Sequence, residues 1–438
     1  MKAQSDFLLV MTTVVASLGG FLFGFDMAVV SGILPFVRQQ FALSALQEGW
    51  FVSSALAGCI AGVIVAGNLS DRLGRKKLLY MAALLFLLAA LGCAFFHDLS
   101  WVITARICGG VAVGIASSIV PLYLSEIAPD NKRGRLVTYY QLAVTIGILV
   151  AYCSNAQLLS YAEAHRHDTG GGLVHFLFVQ EVWRGMFGIG MLPAALFLFG
   201  LLWVPESPRW LMQRGKAAAK EGYGPLFDPA MRRALLIGIL LPLFSQFSGI
   251  NAIIYYGPTI LNNAGITLSN SFLSQIIFGA ANVFFTIFAI WKVDSLGRRP
   301  LYLWGTAGAT ISLIMTGICF YTGATTGIAL LCCVLAFLAF FAFSIGPLKF
   351  VIAAEIFPDN IRARALSLSI MVMWVSDTIV GQLTPILLRS LGTAQTFWFF
   401  AAFCLAAFIA VYRLLPETKG QSFEQIEQYW KNTTKQTA

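Results

Sequence analysis

Four ionisable side chains, Asp26, Arg106, Lys349 and Asp377, sit inside long apolar runs of this chain. A buried charge persists only where it is paired or used. At 1.5 Å per residue, Asp26 lies ~13 Å from the end of its run near Pro35 and Arg106 ~9 Å from the end of its own near Ser100. If those ends face the same side, the two charges share a depth and are expected to pair. A static pair would fix helix packing. A proton-loaded Asp26 would instead neutralise one partner and change the relative stability of two conformations, which is coupling chemistry. Lys349 and Asp377, ~13 Å and ~22 Å deep from a common end, are within near reach of a lysine stem. A local salt bridge is the reading preferred for them, with contact to an ionised or unusual polyol as the sharper alternative. Around Ser248-Gly249, the residues Gln246, Asn251 and Tyr255 form a polar stripe of amides with an aromatic face. That set could replace the hydrogen bonds of a neutral polyol leaving water.

The elements that must position these groups follow from composition. Of 438 residues, 58% are apolar and 11% charged, against about 25% charged in a soluble domain. Apolar runs fall near 7–34, 47–69, 78–96, 101–126, 135–160, 184–204, 232–262, 270–293, 301–322, 326–356, 363–388 and 394–415. A spanning helix needs roughly 20 apolar residues, so the expected fold class is an all-α polytopic membrane protein of twelve helices. A β-barrel would show ~10-residue alternating segments instead. The net charge of +9 comes from basic residues dispersed over short loops, which reads as topology rather than a nucleic-acid face. Only Arg38, Arg166, Arg184 and Arg389 fall outside when both termini are placed in the cytoplasm. The eight cysteines include no C-x-x-C and read as packing residues. The His165-x-His167 pair reads as part of a solvated external loop, 161–181, rather than a metal site, and no metal or other cofactor is expected. Lys2 and the apolar run after it mimic a signal peptide but continue to Pro35, and read as the first membrane helix. No predicted outside loop carries an N-x-Ser/Thr site, which favours a bacterial inner membrane.

The chain also repeats itself. Asp71-Arg-Leu-Gly-Arg-Lys recurs as Asp294-Ser-Leu-Gly-Arg-Arg, Ser125-Glu-Ile-Ala-Pro as Ala354-Glu-Ile-Phe-Pro, and Pro205-Glu-Ser-Pro-Arg as Pro416-Glu-Thr-Lys-Gly. Two six-helix bundles are expected, 1–205 and 231–416, joined by a cytoplasmic linker 206–230 and followed by a tail 417–438. Parallel repeats of this kind accompany alternating access, with substrate between the halves. The repeated motifs bring opposite charges to helix ends: Asp71, Arg72, Arg75, Glu126, Arg133, Glu206 and Arg209, then Asp294, Arg298, Glu355, Arg362 and Glu417. Exposed pairs are worth under ~1 kcal/mol each, but a clustered network forming in one state only would act as a gate. Gly20-x-x-x-Gly24, Gly58-x-x-x-Gly62 and Gly110-x-x-x-Gly114 are expected to serve close helix packing.

Together with Gly-Gly-Phe-Leu-Phe-Gly-Phe-Asp-Met-Ala-Val-Val-Ser-Gly (19–32) and Gln246-x-x-Gly-Ile-Asn, these motifs resemble the sugar porter family of the major facilitator superfamily over nearly the whole chain. The likeness is nearer to the family's bacterial sugar–proton symporters, those for xylose among them, than to animal glucose facilitators. It implies that Asp26 couples protons, since passive members typically carry Asn there. It also implies sugar contacts at Gln141, Gln246, Asn251, Tyr255, Asn282 and Trp374, beside the break at Gly346-Pro347. This sequence departs from the pattern at Ile148 and Ser245, which replace glutamines, at Phe350, which replaces a tryptophan, and at Met373, which replaces an amide. The family's linker helices after Pro-Glu-Ser-Pro-Arg are largely missing. The expected function is proton-coupled symport of a monosaccharide or related polyol by alternating access, with sugar, proton and lipid bilayer as partners. A passive uniporter, and more remotely a sugar sensor, are the alternatives. No P-loop or nucleophile–base motif suggests an enzyme.

Overall fold

The computed structural model describes residues 2–128, 133–167, 172–213, 231–324, 328–357 and 359–419, with short pieces at 227–228 and between 421 and 430. Among the described residues, twelve helices are long and apolar enough to cross a membrane: α1 Leu9–Gln40, α2 Ala45–Gly67, α3 Arg75–Phe95, α4 Leu99–Ile127, α5 Tyr139–Ala164, α6 Val182–Gly200, α7 Arg232–Asn263, α8 Leu268–Ala289, α9 Arg298–Thr322, α10 Ile328–Ala353, α11 Arg364–Ser390 and α12 Thr393–Leu414. They fall on the twelve apolar runs of the sequence, and no strand occurs among the described residues. Hydrocarbon offers backbone groups no partner, so a spanning segment of this composition must bond within itself as a helix. The chain is a multi-pass membrane protein.

It clusters into two compact units. The first holds Met1–Lys216, Ala252–Val283 and Gly381–Ile386; the second holds Ala217–Asn251, Phe284–Val380 and Leu387–Ala438. Local sequence sets the helix ends. Ser44 and Gln47 close a reciprocal capping box at the start of α2, which satisfies amides that would otherwise be orphaned. Gly74 and Gly297, at φ +93° and +87°, turn the chain from α2 into α3 and from α8 into α9, in a region that side-chain-bearing residues rarely adopt.

Three of these spans are interrupted among the described residues. α6 divides at Gly190 into Val182–Ile189 and Met191–Gly200. α7 is broken into Arg232–Phe247 and Ile250–Asn263, with Gly249 between them at φ +85°. In α10 a π-helical turn, Phe341–Ile345, precedes the segment Gly346–Glu355. Such π turns recur at functional sites.

The small-residue motifs are packing devices, as expected. A methyl group on Gly58 or Gly62 would overlap the carbonyls of Ile107 and Val111 on α4, and one on Gly110 or Gly114 would overlap those of Ala55 and Cys59 on α2. The two motifs therefore face each other and bring α2 and α4 into backbone contact. Gly24 meets the Val144 carbonyl of α5 in the same way. Because backbone cannot retreat like a side chain, Gly110→Val is expected to cost at least about 3 kcal/mol. Gly67→Ala, where nothing lies within 4 Å of the added carbon, should be silent. Thermal unfolding of the purified variants in detergent checks the contrast.

Candidate functional site

In the first unit, Asp26 and Arg106 line one cavity of about 20 Å³, walled by Leu22, Phe25, Phe86 and Phe187. Such a space admits a single water molecule. The expected direct ion pair is not formed: no carboxylate oxygen of Asp26 lies within 4.0 Å of an Arg106 nitrogen. The guanidinium is instead satisfied by α2. Nε donates to the Phe51 carbonyl at 2.7 Å and Nη2 to the Val52 carbonyl at 3.4 Å. The rings of Phe51 and Phe187 lie 4.8 and 5.6 Å from the guanidinium carbon, where their faces favour a cation. The third nitrogen, Nη1, is buried with no partner among the described residues. Asp26 stands over Gly109, where a Cβ would lie 3.8 Å from Oδ1. The result is a carboxylate and a guanidinium facing one small cavity.

In the second unit the break of α7 is lined with polar side chains. Asn251 Nδ2 donates to Asp377 Oδ1 at 2.6 Å and to Gln246 Oε1 at 3.3 Å. Lys349 Nζ donates to Ser245 Oγ at 3.0 Å, and Ser248 Oγ to the Ser245 carbonyl at 2.7 Å. Lys349 and Asp377 are only 8% and 2% exposed, and they lie within electrostatic range of each other. Met373 and Trp374 are buried one turn before Asp377, and Gly346 begins the segment that carries Lys349. The Phe350 side chain lies outside the described residues. Of the other expected contacts, Gln141, Ile148, Tyr255 and Asn282 belong to the first unit. Gln141 and Asn282 are half-buried and Ile148 is buried; the Tyr255 hydroxyl points at Met27 Sδ, 3.6 Å away.

The repeated motifs build the same cluster in each unit. In the first, Arg75 donates to Glu126 from Nε and Nη2 at 3.0 and 2.9 Å. Glu206 accepts from the backbone N–H of Arg75 and of Lys76 at 3.0 and 3.1 Å, so it caps the start of α3 with negative charge where the helix dipole favours it. In the second, Arg298 donates to Glu355 from Nε at 3.1 Å and approaches it with Nη2 at 2.9 Å. Glu417 accepts from the N–H of Arg298 and Arg299 at 3.0 and 3.2 Å. The two turn glycines make room: a Cβ on Gly74 or Gly297 would collide with the Glu206 or Glu417 carboxylate. Asp71 touches Arg75 at 3.3 Å from an 80% exposed position, where a pair adds little. Arg72 and Arg209 are exposed and enter no ion pair among the described residues. The side chains of Arg133, Asp294 and Arg362 lie outside the described residues.

Several polar residues escape the sequence reading. Ser207 and Thr418 donate to Glu126 and Glu355, both at 2.5 Å. Their signal was a hydroxyl directly after the glutamate in both Pro-Glu-Ser and Pro-Glu-Thr. Glu48 is buried, 3.8 Å from Arg38, and was readable only as an acid in the first turn of α2. Gln275 accepts from Ser31 at 3.0 Å, Gln382 from Ser53 at 2.8 Å, and Asn155 donates to the Val29 carbonyl at 3.1 Å. Lone amides on apolar helices carry no distinguishing pattern. Arg184, expected in an external loop, is buried against Glu181 and the Phe96 carbonyl, with its guanidinium carbon 4.2 Å from the Trp183 ring. In the loop 161–181, His165 Nδ1 pairs with the Tyr161 carbonyl at 2.9 Å, while Gly170 and Gly171 lie outside the described residues.

Twelve spanning helices, paired end clusters and a broken α7 lined with amides define a transporter, and comparison with known proteins gives its family. The family described as "Sugar (and other) transporter" matches residues 12–224 and 218–430, and the chain belongs to it. The arabinose-proton symporter of Bacillus subtilis is 37% identical over 458 residues, covering 98% of this chain and 96% of that one. The D-xylose-proton symporter of Escherichia coli is 34% identical over 485 residues, covering 97% and 96%. The inward open conformation of the E. coli xylose transporter XylE superposes with a TM-score of 0.81 at 33% identity, covering 96% of this chain and all of that one. The chain is therefore a sugar-family transporter and not an enzyme.

The end clusters differ in burial, and this gives a ranking. Arg75 and Glu126 side chains are 6% and 3% exposed, Arg298 and Glu355 14% and 24%. Breaking a buried pair strands a charge at about 3–5 kcal/mol, whereas a solvated one loses about 1 kcal/mol or less. Glu126→Gln is thus expected to lower the unfolding temperature in detergent well beyond Glu355→Gln. Equal losses would contradict the ranking.

Proposed function

We propose that this protein is a proton-coupled symporter of a monosaccharide or related polyol, working by alternating access between two six-helix halves, 1–205 and 231–416. The observation that carries the reading is the cavity shared by Asp26 and Arg106. Arg106 is anchored by the Phe51 and Val52 carbonyls, so its position does not depend on the charge of Asp26. The carboxylate is left as the group that can gain and lose a proton beside a fixed cation. Each state of Asp26 then gives the first unit a different net charge, and the proton shifts the balance between conformations. A membrane potential adds about 2.3 kcal/mol per charge per 100 mV, enough to drive accumulation at one proton per sugar.

The sugar is read by amides, with Gln246 and Asn251 at the break of α7 as its hydrogen-bonding core and Gln141, Tyr255, Asn282 and Trp374 completing the set. Proton symport of arabinose and xylose, both pentoses, by the relatives supports a monosaccharide here. The Arg75–Glu126–Glu206 and Arg298–Glu355–Glu417 clusters serve as the cytoplasmic gate. The location that fits the basic loops is a bacterial inner membrane with both termini in the cytoplasm.

The test is external pH in a lightly buffered suspension of de-energised cells expressing the protein, while pentoses, hexoses and inositols are added in turn. One sugar is expected to alkalinise the medium, and Asp26→Asn to abolish that signal while labelled-sugar exchange persists. Exchange without any alkalinisation in the unmodified protein would make it a uniporter with a structural Asp26.

A further inference from the structure

The polar contacts at the break of α7 fall on both sides of it. Ser245, four residues before Gly249, is held by Lys349; Asn251, two residues after it, is held by Asp377. Gly249 itself is fixed by its left-handed backbone and by the Phe400 ring, which occupies the place of a Cβ. The unit that contains Lys349 and Asp377 takes α7 only as far as Asn251, and Ala252 begins the segment belonging to the other unit. An oppositely charged couple, drawn from α10 and α11, therefore grips the two flanks of the one break in α7, at the last residue before the chain changes unit.

We infer that Lys349 and Asp377 are positioning residues that clamp this break in the empty transporter and release it when sugar takes hold of Asn251. The clamp presupposes the proposed sugar site, and it is released by competition. Both hydrogens of the Asn251 amide are engaged, one by Asp377 at 2.6 Å and one by Gln246 at 3.3 Å. A sugar oxygen can accept from Asn251 only by displacing one of them. Trading the Asp377 carboxylate for a neutral hydroxyl weakens the bond made by the amide, because a charge-assisted hydrogen bond is about twice as strong as a neutral one, and the other hydrogen bonds of the sugar offset that loss. Sugar thus uses part of its binding energy to remove a tether at the break, and the bend that follows is easier for the loaded transporter than for the empty one. A ligand can shift a conformational equilibrium only through such a difference between states.

The test compares exchange with net efflux in proteoliposomes loaded with labelled D-xylose, L-arabinose or D-glucose. Exchange crosses the membrane loaded in both directions, whereas net efflux requires the empty transporter to return. In the unmodified protein exchange is expected to be the faster. In Lys349→Met/Asp377→Asn, which removes both charges together and avoids stranding either, the ratio of exchange to efflux should fall about threefold or more toward unity. Asp377→Glu should hold the ratio nearer to that of the unmodified protein. Should the double variant fail to fold, Ser245→Ala decides the matter, since it keeps both charges and loses only the grip before the break; its ratio should fall as well. A folded double variant with an unchanged ratio, or with exchange and efflux reduced in proportion, would overturn the clamp while leaving sugar transport standing. An unmodified protein that exchanges none of the three sugars would overturn the sugar site and the clamp together.

Discussion

Hydrocarbon supplies no hydrogen-bond partner, and most polar groups buried in these spans find theirs inside the chain. Backbone amides do so by forming helices, and hydroxyls by bonding back one turn, as Thr306, Thr310, Ser312 and Thr316 do along α9. Arg106, Arg75 and Lys349 are not served so locally. Arg106 reaches across to carbonyls of α2, Arg75 to Glu126 on α4, and Lys349 to Ser245 on α7. Each of these reaches ties two helices that are distant in sequence. Buried charge is thus one of the things that ties helices together here, beside neutral ties such as Ser31–Gln275 and Ser53–Gln382.

The two end clusters show how a repeated sequence can build the same device at different strengths. In both, one glutamate grips an arginine while a second caps the helix on which that arginine stands, and a hydroxyl directly after the second donates to the first. Four residues in a fixed arrangement thus fasten three chain segments together. The copy around Arg75 is nearly sealed from solvent and the copy around Arg298 is not. Identical contacts therefore differ in worth by the dielectric around them.

Much of this was legible in the sequence, and the limits have physical causes. The twelve apolar runs report the spans directly, because a span's composition is dictated by its solvent and not by its neighbours. Glu126 and Arg75 were likewise readable, since opposite charges at helix ends recur in both halves. The expected Asp26–Arg106 ion pair was a fair inference from depth alone, but depth says nothing about azimuth around a helix. Arg106 turns toward α2, whose carbonyls no side-chain pattern advertises. Gln275, Gln382 and Asn155 stayed hidden for a related reason: a lone amide looks the same in sequence whether it binds a ligand or joins two helices. The contacts of Lys349 and Asp377 depend on where α7 breaks, and Gly249 marked that point without indicating what would grip it.

The anchoring of Arg106 by main-chain oxygens has a consequence for how this protein can drift. A side-chain partner is lost by a single codon change, whereas a carbonyl belongs to every residue type. Replacing Phe51 or Val52 alters the ring or the methyl groups around the guanidinium and leaves both acceptors in place. The cation is therefore shielded from point substitution at the positions that hold it. Its vulnerability lies instead in the glycines that press α4 against α2, residues that never touch it. Variation at the charge centre will be tolerated in the lining long before it is tolerated at Gly58, Gly62, Gly110 or Gly114.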